Sequence, residues 1–319
     1  ATDVYKQVIG QQNFTMGATV SVVLLVPALV AFVVDRLIQR RQYALVSSSA
    51  KPLEPRKNPL AEWSLFAYCF LIAASIAAIY LVILVVSLVE RWPYRLSLTL
   101  KHYAFDTVGG YSPLLNSVYV SALTAVVGTA IAFIGAYLVE KWRTRAGAPL
   151  YALSLLPVSI PGMVLGLAYI FTFNVSGSIL NRLYGTLAIL VISNLIHYFT
   201  VPFLTATTSL KQMDAEFENV GASMGVPFYK TFWRVTVPIA LPSIIAISMY
   251  LFLNAMVTLS AVVFLVAPGT ELAAVAVLLM DDAGDTAQAA AMSVLIIAVG
   301  LMVRFVYWGL MRGVTRRTQ

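Results

Sequence analysis

Leu65 to Val89 reads LFAYCFLIAASIAAIYLVILVVSLV, with no charged side chain and no alternation of polar and apolar positions. A helix rises about 1.5 Å per residue, so roughly 20 residues cross a hydrocarbon core about 30 Å thick. Strands of a membrane barrel instead alternate in polarity over about ten residues. The stretch therefore reads as a membrane-crossing helix. Six further stretches meet the same test of length and apolarity: 17 to 34, 115 to 139, 148 to 172, 185 to 206, 239 to 266 and 287 to 311. Of the 319 residues 60% are hydrophobic and 11% charged, too little polar surface to cover a water-soluble globule. The expected fold class is all-α, a polytopic helical membrane protein in a lipid bilayer.

The net charge of +7 would suit nucleic acid, but the placement of the cations excludes that partner. If the loop at 207 to 238 is cytoplasmic, Arg36, Arg40, Arg41, Lys51, Arg56, Lys57, Lys141, Arg143, Arg145, Lys211, Lys230, Arg234, Arg312, Arg316 and Arg317 all fall inside. Lys6, Arg91, Arg95, Lys101 and Arg182 fall outside, Arg304 lies within the last helix, and the acids divide evenly. Lys and Arg collect on the cytoplasmic side of membrane proteins, which predicts a cytoplasmic C-terminus. Cys69 is the only cysteine, so neither a disulfide framework nor a thiolate metal site is available, and its apolar setting predicts a packing role. Ala1 to Asn13 lacks the basic and apolar regions of a signal peptide. With no initiator Met, the sequence reads as opening partway through a larger unit, on an extracytoplasmic segment.

Ser47 to Pro59 (SSSAKPLEPRKNP) has the Ser, Pro and charge of a linker. It divides the chain into 1–42, read as the last transmembrane helix of a preceding unit, a cytoplasmic linker at 43–62, and a six-helix unit at 63–319. Both flanks share a plan: a polar outer stretch, small residues (Gly17 and Ala18; Ala290 and Ala291), an apolar helix, then arginines. The other reading makes the first helix simply a seventh helix of one domain. Arg91 to Tyr111 is amphipathic, with Trp92, Tyr94, Tyr103 and Tyr111 suited to the membrane interface.

The loop from Lys211 to Pro238 differs from everything around it. Asp214, Glu216 and Glu218 open a helical pattern, where carboxylates complement the helix dipole. Phe217, Val220 and Met224 form one apolar face. Gly221 and Gly225 are expected on one helix face, open to close approach by a partner, with Pro227 stopping the helix. Phe228, Tyr229, Phe232 and Trp233 make an aromatic second stretch before Pro238 and Pro242. A short amphipathic helix here suits either a groove on another protein or the lipid surface.

This segment resembles the EAA loop of ATP-binding-cassette importer permeases, whose pattern is Glu-Ala-Ala, three residues, Gly, nine residues, Ile, one residue, Leu-Pro. On this sequence the glycine falls on Gly225, the Ile-x-Leu-Pro on Val235 to Pro238, and the Glu-Ala-Ala on Asn219, Val220 and Gly221. The motif glutamate is replaced by Asn219, with Glu218 adjacent. The resemblance implies a loop that couples to a separate ATPase subunit through Glu216, Glu218, Asn219, Val220, Gly221, Gly225, Phe228 and Arg234. It also implies a periplasmic substrate-binding protein, a second permease half, fused or separate, and a bacterial inner membrane. Leu156 to Gly162 (LPVSIPG) and the stretch from Ser260 to Asp285 look like fused two-unit permeases for 2-aminoethylphosphonate, relatives of the ferric-iron permeases. That likeness implies either substrate.

No hydrolytic or redox constellation is present, and no Gly-x4-Gly-Lys-Ser/Thr loop cradles a phosphate. No catalytic residue, metal site or cofactor is therefore expected in this chain, ATP falling to the partner. Polar residues of apolar helices, Asn116, Ser117, Ser121, Asn194 and His197, are candidates for the substrate path. Each has an alternative task in joining helices. Gly162 and Gly166 read as a helix-packing pair, and Asp281, Asp282 and Asp285 as a solvated outer cluster. A secondary transporter or channel without an ATPase is the rival class; it would carry charges within its helices and no docking loop.

Overall fold

The computed structural model describes residues 6–11, 13–39, 58–105, 109–141, 147–175, 177–214 and 216–318. Most of the predicted linker, 43–57, lies outside them. Helix α1 (Phe14–Gln39) begins where Asn13 Oδ1 accepts the Met16 amide at 3.0 Å. Helix α2 (Pro59–Leu88) begins inside the predicted linker, because Asn58 caps the Ala61 amide at 3.4 Å and Pro59 stands at the first turn. Its missing N–H loses nothing there.

Val89 ends α2 and at once starts a short antiparallel hairpin, β1 (Val89–Arg91) and β2 (Arg95–Leu98), within the stretch expected at the membrane interface. The chain re-enters through α3 (Ser112–Glu140), the axis of the bundle. Ser117, Ser121, Ala125, Gly128, Ala132 and Ala136 line its buried side. That small-residue stripe lets other backbones approach closely: a Cβ on Gly128 would stand 2.6 Å from Leu195 Cδ2 and 2.8 Å from Leu251 Cδ1.

Two spans expected to be continuous are broken, and a third bends at its start. Helix α4 (Gly147–Leu155) with the turn Leu156–Ser159 meets α5 (Gly162–Phe173) at 108°. Helix α6 (Leu187–His197) meets α7 (Thr200–Lys211) at 54°. The loop expected to be cytoplasmic carries α8 (Glu216–Ser223) and α9 (Phe228–Thr231), and Phe228–Ile239 meets α10 (Leu241–Met256) at 75°. Proline accounts for each break, since it cannot donate to the carbonyl four residues back: Pro161 faces Pro157, Pro202 faces Tyr198, and Pro242 faces Pro238.

The span read as 239 to 266 is helical only to Met256. Beyond it an irregular stretch includes Ala261 to Leu265, all buried, before α11 (Ala273–Asp282), which the sequence reading did not foresee. Irregular backbone at membrane depth is tolerated where protein covers it. The last helix, α12 (Thr286–Thr318), packs on α2, α10 and α11, while α1 lies against α5 and the turn before it. Val8 reaches a core built from α5, α6 and residues 262–265.

The apolar window of α2 has none of its residues buried. Cys69 is exposed there rather than packed: in a bilayer the apolar surface of such a helix faces lipid, so apolarity did not imply burial.

Candidate coupling surface and transmembrane path

Asp214 Oδ1 accepts the Glu216 amide at 3.1 Å and so starts α8. The helix does not run on to Pro227, as expected, but stops at Gly225, whose φ of +68° is left-handed. The Val226 amide returns to Gly221 O at 2.9 Å, which is the closure of a Schellman motif. Pro227 instead stands at the N-terminus of α9. Gly221 and Gly225 therefore do not share a helix face. At Gly221 a Cβ would meet Thr231 Oγ1 at 2.8 Å, so this glycine lets α8 lie against α9 of the same chain.

The stacked pair turns apolar side chains outward: Phe217, Val220, Met224, Phe228, Tyr229 and Trp233 are all exposed. Phe217, Val220 and Met224 line an open groove of about 750 Å³ together with Glu216, Lys230 and Arg234. Beneath it Phe232 is buried, its ring 4.8 Å from Tyr137 and 5.9 Å from Phe133 of α3. Glu218 turns inward. Its Oε2 lies 3.3 Å from Lys141 Nζ, which also donates to Met213 O at 3.1 Å, and Lys211 and Glu140 pair nearby at 3.9 Å. Asn219, on which the motif glutamate falls, is exposed and uses its carbonyl for Ser223 Oγ. The carboxylate directed at the membrane helices is thus one residue earlier than the motif places it. Lys141 was missed by sequence reasoning; its signal was a Glu140–Lys141 pair closing an apolar stretch.

The path candidates separate into two groups. Asn116 Nδ2 donates to Gly269 O and Glu271 O, each at 3.1 Å, and Ser117 Oγ accepts the Ala273 amide at 2.8 Å. Both residues clamp the stretch leading into α11 to the N-terminal end of α3. Ser121 Oγ lies 3.9 Å from Met256 Sδ. Asn194 and His197 lie one turn apart on α6; both amide atoms of the buried Asn194 and the Nδ1 of His197 lack hydrogen-bond partners among the described residues.

A Cβ on Gly162 would run into Ser260 Oγ and stand 3.1 Å from His197 Cε1. The start of α5, the end of α6 and the irregular stretch after α10 therefore converge. Thr258 Oγ1 donates to Tyr198 OH at 2.8 Å beside them. By the same measure Gly166 stands 3.2 Å from Ala261 O, so the two glycines make room for the irregular stretch at 260–261 rather than for another helix as expected. Among the described residues no group of three His, Cys, Asp or Glu side chains gathers closely enough to hold a metal ion.

No protein-family profile matches the chain. It is 26% identical over 326 aligned positions to a ferric transport system permease protein, FbpB, of Actinobacillus pleuropneumoniae, the alignment taking in 97% of this chain and 46% of that protein. The chain thus spans less than half the length of this relative. A provisionally named 2-aminoethylphosphonate transport system permease protein, PhnV, of Salmonella typhi is 27% identical over 228 positions, covering 70% of this chain and 84% of its own. Among solved structures, a bacterial ABC transporter for import of the acidic polysaccharide alginate superposes with a TM-score of 0.65 at 14% identity, over 80% of this chain and 97% of its own. The methionine transporter MetNI, in an inward-facing conformation, superposes with a TM-score of 0.51 at 14% identity, over 63% of this chain and 94% of its own. The chain has the fold of ATP-binding-cassette importer permeases, and its relatives in sequence include permeases of ferric and 2-aminoethylphosphonate transport systems.

Proposed function

We propose that this chain forms one permease half of an ATP-driven importer of the bacterial inner membrane, with its C-terminus in the cytoplasm. In this reading it works with separate ATPase subunits, a periplasmic substrate-binding protein and a second permease half, of which residues 1–42 are the last helix. The observation that carries it is the outward apolar face of α8 and α9, held against the inner end of α3 by Phe232 and by the Lys141–Glu218 pair. A surface of this kind suits a groove on another protein. The inward pair favours that over lying flat on lipid, because it ties the surface to a membrane helix on which a partner's movement can act. Closure of the ATPases around α8 and α9 would move α3 and, through Asn116 and Ser117, the stretch at 269–273 on the far side.

The substrate we favour is 2-aminoethylphosphonate, supported by a relative of which the alignment takes in 84%. Ferric iron is the second reading, and what favours it is an alignment that takes in 97% of this chain, the first helix included. The test is uptake of both labelled substrates into cells expressing the full-length permease with its ATPase and binding protein, beside a Gly225→Asp variant. Phosphonate uptake lost in the variant, with the protein still in the membrane, supports substrate and coupling surface together. Iron uptake lost in the same way replaces the substrate and keeps the mechanism. Uptake indifferent to the substitution sinks the coupling assignment.

A further inference from the structure

We propose that the groove between α8 and α9 receives a projecting segment of the ATPase subunit that carries both signs of charge: a carboxylate for Lys230 and Arg234, a base for Glu216, and an apolar side chain for Phe217, Val220 and Met224. This rests on the reading of the chain as an importer permease and adds what its partner must present. Shape is the first argument. The groove is open and about 750 Å³ in volume, with one wall from α8 and the other from Lys230, Arg234 and Val235. The walls meet where Gly221 admits Thr231, whose Oγ1 would stand 2.8 Å from a Cβ there. Docking is then reciprocal, because the pair of short helices offers a cleft as well as a ridge.

The second argument is charge. Lys230 and Arg234 are exposed, and their side chains make no ion pair or hydrogen bond among the described residues. Like charges four residues apart on one helical surface repel each other, so an incoming carboxylate gains from both. Helix α8 has two carboxylates of its own. Glu218 is spent inward on Lys141 at 3.3 Å, and the neighbouring Asn219 is uncharged, which leaves Glu216 as the acid of α8 that lines the groove. It too is exposed and has no ion pair among the described residues. On the same wall Phe217, Val220 and Met224 are 46%, 56% and 74% exposed. Water solvates the three charges but leaves these side chains uncovered. Anionic lipid headgroups would suit the two cations and repel Glu216. A protein segment with an acid, an apolar side chain and a base meets all of them, and opposite charges on facing walls fix the register in which it docks.

The test titrates the full-length permease, in nanodiscs of neutral phosphatidylcholine, with its purified ATPase subunits. Lys230→Glu/Arg234→Glu and Glu216→Lys should each weaken binding about ten-fold or more, with the melting temperature unchanged. Glu216→Gln, which brings no new charge to the start of α8, should weaken it by a smaller factor. The Glu216→Lys variant is the decisive one, because it adds positive charge: a complex tighter than the parent's would mean a plainly anionic partner surface and overturn the two-signed match. Affinity equal to the parent's in both charge reversals overturns the proposal and leaves the importer reading intact. A loss in Lys230→Glu/Arg234→Glu that appears only when phosphatidylglycerol is present would assign the cations to lipid and overturn it as well. A parent that binds no ATPase at all overturns the importer reading, and this inference with it.

Discussion

Lys141 Nζ lies 3.3 Å from Glu218 Oε2, with the lysine side chain 8% and the carboxylate 20% exposed. Lys141 follows the last residue of α3 and Glu218 stands in the first turn of α8, so each charge also faces the helix end whose dipole favours it. The pair fastens the loop surface to the axis of the bundle. Removing one partner of a buried pair costs about 3–5 kcal/mol; with Glu218 partly open to water, about 2 kcal/mol is expected for Glu218→Gln or Lys141→Met. The exchange Lys141→Glu/Glu218→Lys should recover part of the loss. Thermal unfolding in detergent reads the stability. ATP hydrolysis set against uptake reads the coupling, and single variants that keep both at wild-type levels would leave the pair without a mechanical role.

Gly225 and Gly221 separate by their causes. At Gly225 an added Cβ meets nothing within 4 Å, so the cost of substitution is conformational. Left-handed backbone disfavours an ordinary L-residue by about 1–2 kcal/mol and tolerates Asn best. Gly225→Asn should therefore keep most uptake and Gly225→Val lose it. At Gly221 the conflict is steric, with Thr231 Oγ1, so Gly221→Ala should reduce uptake and Thr231→Ala should restore it in the double variant. Rescue at position 225 by Thr231→Ala would contradict this division.

The contrast between these glycines shows what was legible in the sequence. Spacing alone placed Gly221 and Gly225 on one helix, because period reports a helix only while the chain remains one. The left-handed φ that ends α8 at Gly225 belongs to the backbone and has no periodic trace. The membrane spans were legible as apolar length, yet α4–α5, α6–α7 and the start of α10 are bent, since proline marks a break without setting its angle. Lys141–Glu218 and Asn116–Gly269 join residues 77 and 153 positions apart, contacts that only packing creates.

Asn116 and Ser117 are expected to act through the fold. Each intramolecular hydrogen bond contributes about 1 kcal/mol, so Asn116→Ala, which removes two, should lower stability by about 2 kcal/mol and Ser117→Ala by about 1. If their task is to hold the stretch at 269–273, the Km for the transported substrate should stay unchanged while the melting temperature falls. A shift in Km or in substrate preference without loss of stability would instead put Asn116 in contact with the solute.

Gly162 sits where the broken ends of α5 and α6 meet Ser260, and it tests whether this convergence must be tight. An alanine Cβ would collide with Ser260 Oγ and press on His197 Cε1. Overpacking of this kind costs about 1–3 kcal/mol, so Gly162→Ala should impair uptake, and Gly162→Ala/Ser260→Gly, which removes the hydroxyl, should recover it. His197 distinguishes packing from passage. His197→Phe keeps an aromatic ring, larger than imidazole, but lacks Nδ1, which has no partner among the described residues. If the ring only fills the convergence, His197→Phe will transport as the parent does. If the solute itself pairs with that nitrogen, uptake should fall with stability intact, and the double variant at 162 and 260 will not rescue it.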